Sequence, residues 1–162
     1  MANGFRIVRT FLFLGSKKKW LFLEALYYLG LGRILISIPF SKVAPTLGVP
    51  MKETAEDDIN EDIPMLNSIS DVLHIISRRT PWESKCLVRA IAGTKMLRRR
   101  RIPSTLYLGT AKDKEGKLIA HAWLRSGSRI ITGADVMAEF SVVAKFANEN
   151  RGENHVKRSG IG

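Results

Sequence analysis

The spacing of apolar residues changes once along this chain, at Pro103, and that change limits the fold more than any other feature. Before it, apolar residues recur at helical spacing. After it, they alternate in short runs broken by turn residues. Ser104–Thr110, Leu118–Leu124, Arg129–Thr132 and Phe140–Phe146 are predicted as strands. Lys112–Lys117 holds Asp113, Lys114, Glu115 and Gly116 and makes one hairpin turn, and Ser126-Gly127 makes another. Helices first and an antiparallel sheet second is an α+β arrangement.

The helical half has three parts. Trp20–Ser37 reads as a helix with Leu23, Leu26, Tyr27 and Gly30 on one face, and Pro39 and Pro45 punctuate the stretch after it. Pro64 precedes an amphipathic helix whose Leu66, Ile69, Val72, Leu73 and Ile76 keep core spacing, with Arg78 and Arg79 in its last turn. Thr80-Pro81-Trp82-Glu83 then carries the chemistry of a helix start. Thr80 can cap, Pro81 suits the first helical position and Glu83 completes a capping box, with Ser84 as a second candidate cap. That helix is expected to run to about Arg100 with Leu87, Ala90, Ile91, Thr94 and Leu97 inward, and Ile102-Pro103 stops it.

Charge divides the chain into segments. Residues 51–64 hold six acids against Lys52, while residues 1–50 hold seven bases against Glu24, and the whole chain carries +11. Met51–Asp62 therefore reads as an acidic, solvated connector. The expected organisation is a helical segment over 1–50 packed on or near the core, a connector over 51–64, a folded core over 65–148 and a polar, frayed tail over 149–162. The short basic-apolar segment Phe5–Leu14 has no clear period.

Several function classes drop out. One cysteine permits no intramolecular disulfide, and with three histidines it leaves no Cys-rich zinc site. No Walker A or dinucleotide glycine pattern occurs, so neither cofactor nor metal is expected. Arg98–Arg101 lacks interleaved aromatics and a nucleic-acid fold signature, so it reads as a solvated helix end and no nucleic-acid partner is expected. Trp20–Phe40 is the most apolar stretch, but Glu24 and Arg33 inside it make a membrane span costly. A buried or surface-docked helix fits better. The single thiol makes a reducing cytosol the expected compartment, with peripheral contact at the inner face of the membrane as the addition this stretch suggests.

Two residues stand out for chemistry. Cys86 falls near the start of a predicted helix, where the dipole and free amides favour a thiolate; as a lone cysteine it is equally a small core hydrophobe. His121 lies in the apolar run Leu118–Leu124, and alternation puts it on one face with Ile119 and Trp123. A histidine there needs a hydrogen-bond partner or a function. Asp135, after the next strand, is placed to orient that imidazole, or it is simply a turn acid. His74, on the 66–79 helix, and His155, in the tail, have no comparable setting.

Taken together, three blocks resemble the lasso peptide biosynthesis B2 proteins. They are Pro81-Trp82-Glu83-Ser84-Lys85-Cys86-Leu87, the run from Met96 to Gly109 with its Arg101-Ile102-Pro103-Ser104-Thr105-Leu106-Tyr107-Leu108-Gly109, and Ala120-His121-Ala122-Trp123-Leu124. Leu23-Glu24-Ala25-Leu26 and Pro39-Phe40-Ser41-Lys42-Val43-Ala44 resemble that family's leading helix. The resemblance implies a transglutaminase-like, papain-like cysteine peptidase core that removes the leader from a precursor peptide. It implies a separate leader-binding B1 protein and a lasso cyclase as partners. It makes Cys86 the nucleophile and His121 the general base. Members with a clear third residue carry Asp near Thr132 or Gly133, so Asp135 is displaced here, and a backbone carbonyl or water is the alternative orienting group. The Cys86 amide is the expected oxyanion donor, and Trp82 and Trp123 are expected near the site as walls.

Overall fold

The computed structural model describes residues 16–57, 62–82, 84–135 and 137–149. Phe5–Leu14, Glu83, His155 and the tail beyond residue 149 lie outside them. The elements in chain order are α1 (Ser16–Leu35), α2 (Phe40–Val43), a 3-10 turn, β1 (Val49–Pro50), α3 (Ile63–Ser77), α4 (Cys86–Arg99), β2 (Ser104–Lys112), β3 (Leu118–Ser126), β4 (Arg129–Thr132), a second 3-10 turn (Met137–Glu139) and β5 (Ser141–Asn148). The strands form one antiparallel sheet in the order β1-β5-β2-β3-β4. The α+β expectation holds, and every expected strand is present within a few residues of its predicted ends.

Helix α4 is the centre of the molecule. Its Val88, Ala90, Ile91, Ala92, Gly93, Thr94, Met96 and Leu97 are all buried, because α1 and α3 cover one side and the sheet the other. Small residues make the close contact. A Cβ on Gly93 would sit 2.6 Å from Leu124 and 3.2 Å from Leu73, so α4 could not approach both β3 and α3 with any larger side chain there. Gly32 of α1 likewise lies against the Val88 backbone. Alternation along β3 puts Ala122 and Leu124 in this core, under α4.

The α3 stripe is as expected, with Leu66, Ile69, Leu73 and Ile76 buried and Pro64 in the first turn. Arg78 caps the C-terminus, and Arg79 lies past the helix.

Three expectations change. First, α1 buries Leu21, Phe22, Ala25 and Leu29, not the face of Leu23 and Tyr27, which is exposed. The helix is apolar on two sides, so periodicity alone could not choose between them.

Second, α4 starts at Cys86 with Lys85 as its N-cap residue, not at Thr80 or Ser84. The Thr80 hydroxyl is used within the preceding loop: it bonds the Ser77 and Trp82 carbonyls and pairs with Ser84 Oγ at 2.9 Å.

Third, the acidic segment is not simply solvated. Thr54 is buried, its N–H donates to Thr105 Oγ1, and Arg125 donates to the Thr54 and Ala55 carbonyls. Residues 53–55 thus strap the sheet face that α4 does not cover.

Among the described residues, no helix is long and apolar enough to cross a membrane. Glu24, which argued against a span, is held by Arg100 across the α1–α4 contact through bonds of 2.6 and 2.9 Å.

Candidate active site

Cys86 occupies the first position of α4, so its sulfur sits at the positive end of the most buried helix in the fold. Lys85 is extended (ψ 169°), and no side-chain cap hydrogen bond is made to the helix among the described residues. The first intrahelical bond runs from the Arg89 N–H to the Lys85 carbonyl. The amides of Cys86, Leu87 and Val88 are therefore the three that α4 itself does not use. That is the donor arrangement an oxyanion needs. Cys86 is a free thiol, partly buried against the core.

His121 is buried in β3, and its Nε2 lies 3.1 Å from the Gly133 carbonyl oxygen. A carbonyl can only accept, so Nε2 carries the proton and, in the neutral ring, Nδ1 keeps its lone pair. This is the tautomer of an imidazole whose Nδ1 acts as base. The ring packs against two aromatics, with Phe140 at 5.2 Å and Trp123 at 6.1 Å between centroids. Trp123 in turn stacks on Tyr107 at 5.4 Å and 8° between planes. Arg125 closes the row, its Cζ 5.8 Å from the Tyr107 ring centre and its Nε donating to Tyr107 Oη at 2.9 Å.

Two glycines make this packing fit. Gly109 faces His121 in the β2–β3 register, and a Cβ there would come within 3 Å of Trp123 and Phe140. Gly133 has φ +79°, and a Cβ on it would meet the Ala122 carbonyl at 2.6 Å and His121 Nε2 at 3.1 Å. Position 133 is therefore closed to a side chain in this backbone, and the chain offers His121 its carbonyl instead.

The expected residues are thus only partly brought together. Trp123 lies beside His121. Trp82 precedes Cys86 by four residues and packs against α1 at Gly30, with its indole Nε1 buried and unpaired among the described residues. No hydrogen bond joins Cys86 to His121, and none joins Asp135 to His121, among the described residues. Asp135 is exposed in the turn after β4, where it lines a cavity of about 500 Å³ with Ser70, His74, Arg78, Arg89 and Thr132. Gly133, Phe140, Tyr107 and Gly109 were not singled out from sequence. Only Gly133 had a local signal, as the glycine that ends a predicted strand. Among the described residues no cluster of His, Cys, Asp and Glu could hold a metal ion.

Comparison with known proteins adds a family. A family model described as the transglutaminase-like superfamily matches residues 28–145, from within α1 to within β5. No curated protein and no solved structure matches the chain.

Proposed function

The chain belongs to the transglutaminase-like superfamily, which includes cysteine peptidases, and from that premise we propose that it is a cysteine peptidase that removes the leader from a lasso peptide precursor. The observation that carries the peptidase part is Cys86 as the first residue of a buried helix. The lasso precursor rests on the three sequence blocks that resemble the B2 proteins. In this reading a separate B1 protein presents the leader, and a lasso cyclase takes the product.

The chemistry is acyl transfer. His121 Nδ1 takes the Cys86 thiol proton, and the thiolate attacks the scissile carbonyl. The oxyanion is met by the Cys86 amide. The imidazolium then gives its proton to the departing amine, which becomes the N-terminus of the core peptide. Water, deprotonated by the same nitrogen, hydrolyses the thioester, releasing the leader as a carboxylate and restoring the thiol. The Gly133 carbonyl does the orienting, and Asp135 does not. Catalytic hydrogen bonds that are long in a free enzyme tighten when substrate binds, and the proposal requires this of Cys86 and His121. The test is to mix precursor, B1 and this protein and to follow the leader by mass spectrometry. Cleavage is expected with the native chain and absent with Cys86→Ala; a Cys86→Ala protein that still cleaved at the native rate would overturn the reading.

A second reading, a docking protein of the same complex without catalysis, is favoured by one observation: no hydrogen bond connects the thiol and the imidazole among the described residues. A thiol-reactive probe separates the two. Selective labelling of Cys86 near neutral pH supports catalysis, and a rate no faster than that of a denatured control supports docking.

A further inference from the structure

Helix α1 has a second apolar face that the fold leaves open. Trp20, Leu23, Tyr27, Leu31 and Ile34 succeed one another at intervals of three, four, four and three, which aligns them on one side over about 21 Å of helix. Trp20 is 74% exposed, Tyr27 65%, Ile34 63% and Leu23 44%. Leu21, Phe22, Ala25 and Leu29, on the opposite side, already supply what the core needs. Leu31, between Tyr27 and Ile34, is part-buried, and the four exposed members make an apolar row of the kind that marks a contact surface.

The charges around the row point to its occupant. Glu24 is the sole acid of residues 1–50. Its carboxylate is turned to the covered flank and held by Arg100, with only 9% of its side chain exposed. The exposed charges of the helix are therefore cations, Lys18 in its first turn and Arg33 in its last, and no acid. Trp and Tyr have an apolar body and a polar edge that suit the headgroup boundary. A helix with an exposed apolar face and cations but no acid exposed along it is the form that lies in the plane of a membrane surface, drawn there by anionic lipid. A protein partner would instead have to supply an apolar groove with an acidic rim, a more specific demand for which nothing else in the molecule argues.

We propose that α1 is an interfacial membrane helix, which lays Trp20, Leu23, Tyr27, Leu31 and Ile34 into the headgroup region of an anionic bilayer, with Arg33 of its last turn reaching the phosphates. The body of the domain then stays in water, with α1 as its floor. This inference does not depend on the peptidase reading.

The test is flotation of the full chain with vesicles of phosphatidylcholine, with and without phosphatidylglycerol. Binding is expected on the phosphatidylglycerol vesicles, at least tenfold weaker on phosphatidylcholine alone, and weakened again by salt. Tyr27→Glu with Ile34→Glu should reduce it at least tenfold while leaving the circular dichroism and the unfolding midpoint unchanged. Trp20→Ser, at the most exposed position, gives an independent second variant should that pair fold poorly. Native-level flotation of these variants would overturn the proposal, because another segment would then carry the binding. So would absence of native flotation. A native chain that ignores vesicles but self-associates through this face, and becomes monomeric as Tyr27→Glu with Ile34→Glu, would assign the row to a second copy and also overturn it.

Discussion

His121 is oriented by the backbone of Gly133: the imidazole Nε2–H donates to the Gly133 carbonyl at 3.1 Å. A carbonyl fixes the tautomer as a carboxylate does, but it brings no negative charge to balance an imidazolium. In the proposed mechanism the Gly133 carbonyl would supply the geometric part of a third catalytic residue without the electrostatic part. It does so at a position where φ is +79° and no side chain has room.

Substitution at Gly133 should accordingly be severe. Gly133→Ala places a Cβ 2.6 Å from the Ala122 carbonyl and 3.1 Å from His121 Nε2. The left-handed backbone alone costs an L residue about 1–2 kcal/mol, and relieving the contact adds to that. The expected result is a destabilised protein with a displaced His121 ring, read by chemical denaturation and by the imidazole proton signals. Gly133→Asp should be no better. It installs a carboxylate near the histidine in sequence terms, but its Cβ meets the same contacts, so leader cleavage should fall. A gain in cleavage would show that the backbone here can open.

Asp135→Asn should do little. The carboxylate is exposed, and no hydrogen bond joins it to His121. Exposed substitutions away from such contacts usually stay within about 0.5 kcal/mol. Cleavage of the precursor should remain within about threefold of the native rate, because the orienting group is the Gly133 carbonyl. A loss of a hundredfold or more would give Asp135 back the role that its place after β4 suggests.

How much of the fold and site was legible depends on where each signal resides. The strands were readable because one sheet face packs under α4 and alternation survives in the side chains, as at Ala122 and Leu124. The α3 stripe was readable for the same reason. The start of α4 was not. Thr80-Pro81-Trp82-Glu83 has every local ingredient of a helix start, but the Thr80 hydroxyl is used on Trp82 and Ser84 and the helix waits for Lys85. Cap chemistry is local, and the choice among candidate caps is made by packing. Cys86 and His121 could be named because each is a rare side chain in a telling place. The group that holds His121 could not, since a carbonyl leaves no mark in a sequence. The row from His121 through Trp123 and Tyr107 to Arg125 crosses between β2 and β3, so no single segment displays it. The acidic strap was hidden by its own composition. Its buried contacts run through Thr54 and the Ala55 carbonyl, between the charges that suggested a solvated linker.

Arg125 joins that strap to the aromatic row, and losing it should be costly. Its guanidinium donates to Tyr107 Oη, to Thr54 O at 2.9 Å and to Gly127 O at 2.7 Å, and its side chain is 8% exposed. Hydrogen bonds from a charged donor are the stronger kind, and removing it leaves buried carbonyls without partners. Arg125→Met should therefore cost on the order of 3 kcal/mol, with residues 53–55 among the first to gain hydrogen-exchange sensitivity. Tyr107→Phe removes one acceptor and keeps the stack, so its cost should be nearer about 1 kcal/mol. Equal effects from the two would mean that the Arg125–Tyr107 hydrogen bond, which both variants lose, carries the stability rather than the strap.

The strap should also give the fold a dependence on acid. Glu53 has its carboxyl held below the ordinary range, first by the hydrogen bond from Lys145, with the charges of Lys145 and Arg125 acting in the same direction and burial opposing them. A carboxylate with a lowered folded pKa stabilises the fold above its unfolded pKa and loses that contribution as pH falls through the folded value. Here the ordinary value is 4.5, so the contribution is complete at neutral pH and is lost below that value. Glu53 is 39% exposed at its side chain, so water and salt screen the pair and its worth should be under about 1 kcal/mol. Urea unfolding of the native chain and Glu53→Gln should therefore differ slightly at pH 7, differ less in high salt, and draw together as pH falls below 4.5. A difference that did not shrink at all as pH fell below 4.5 would have to come from packing rather than from the Glu53 charge.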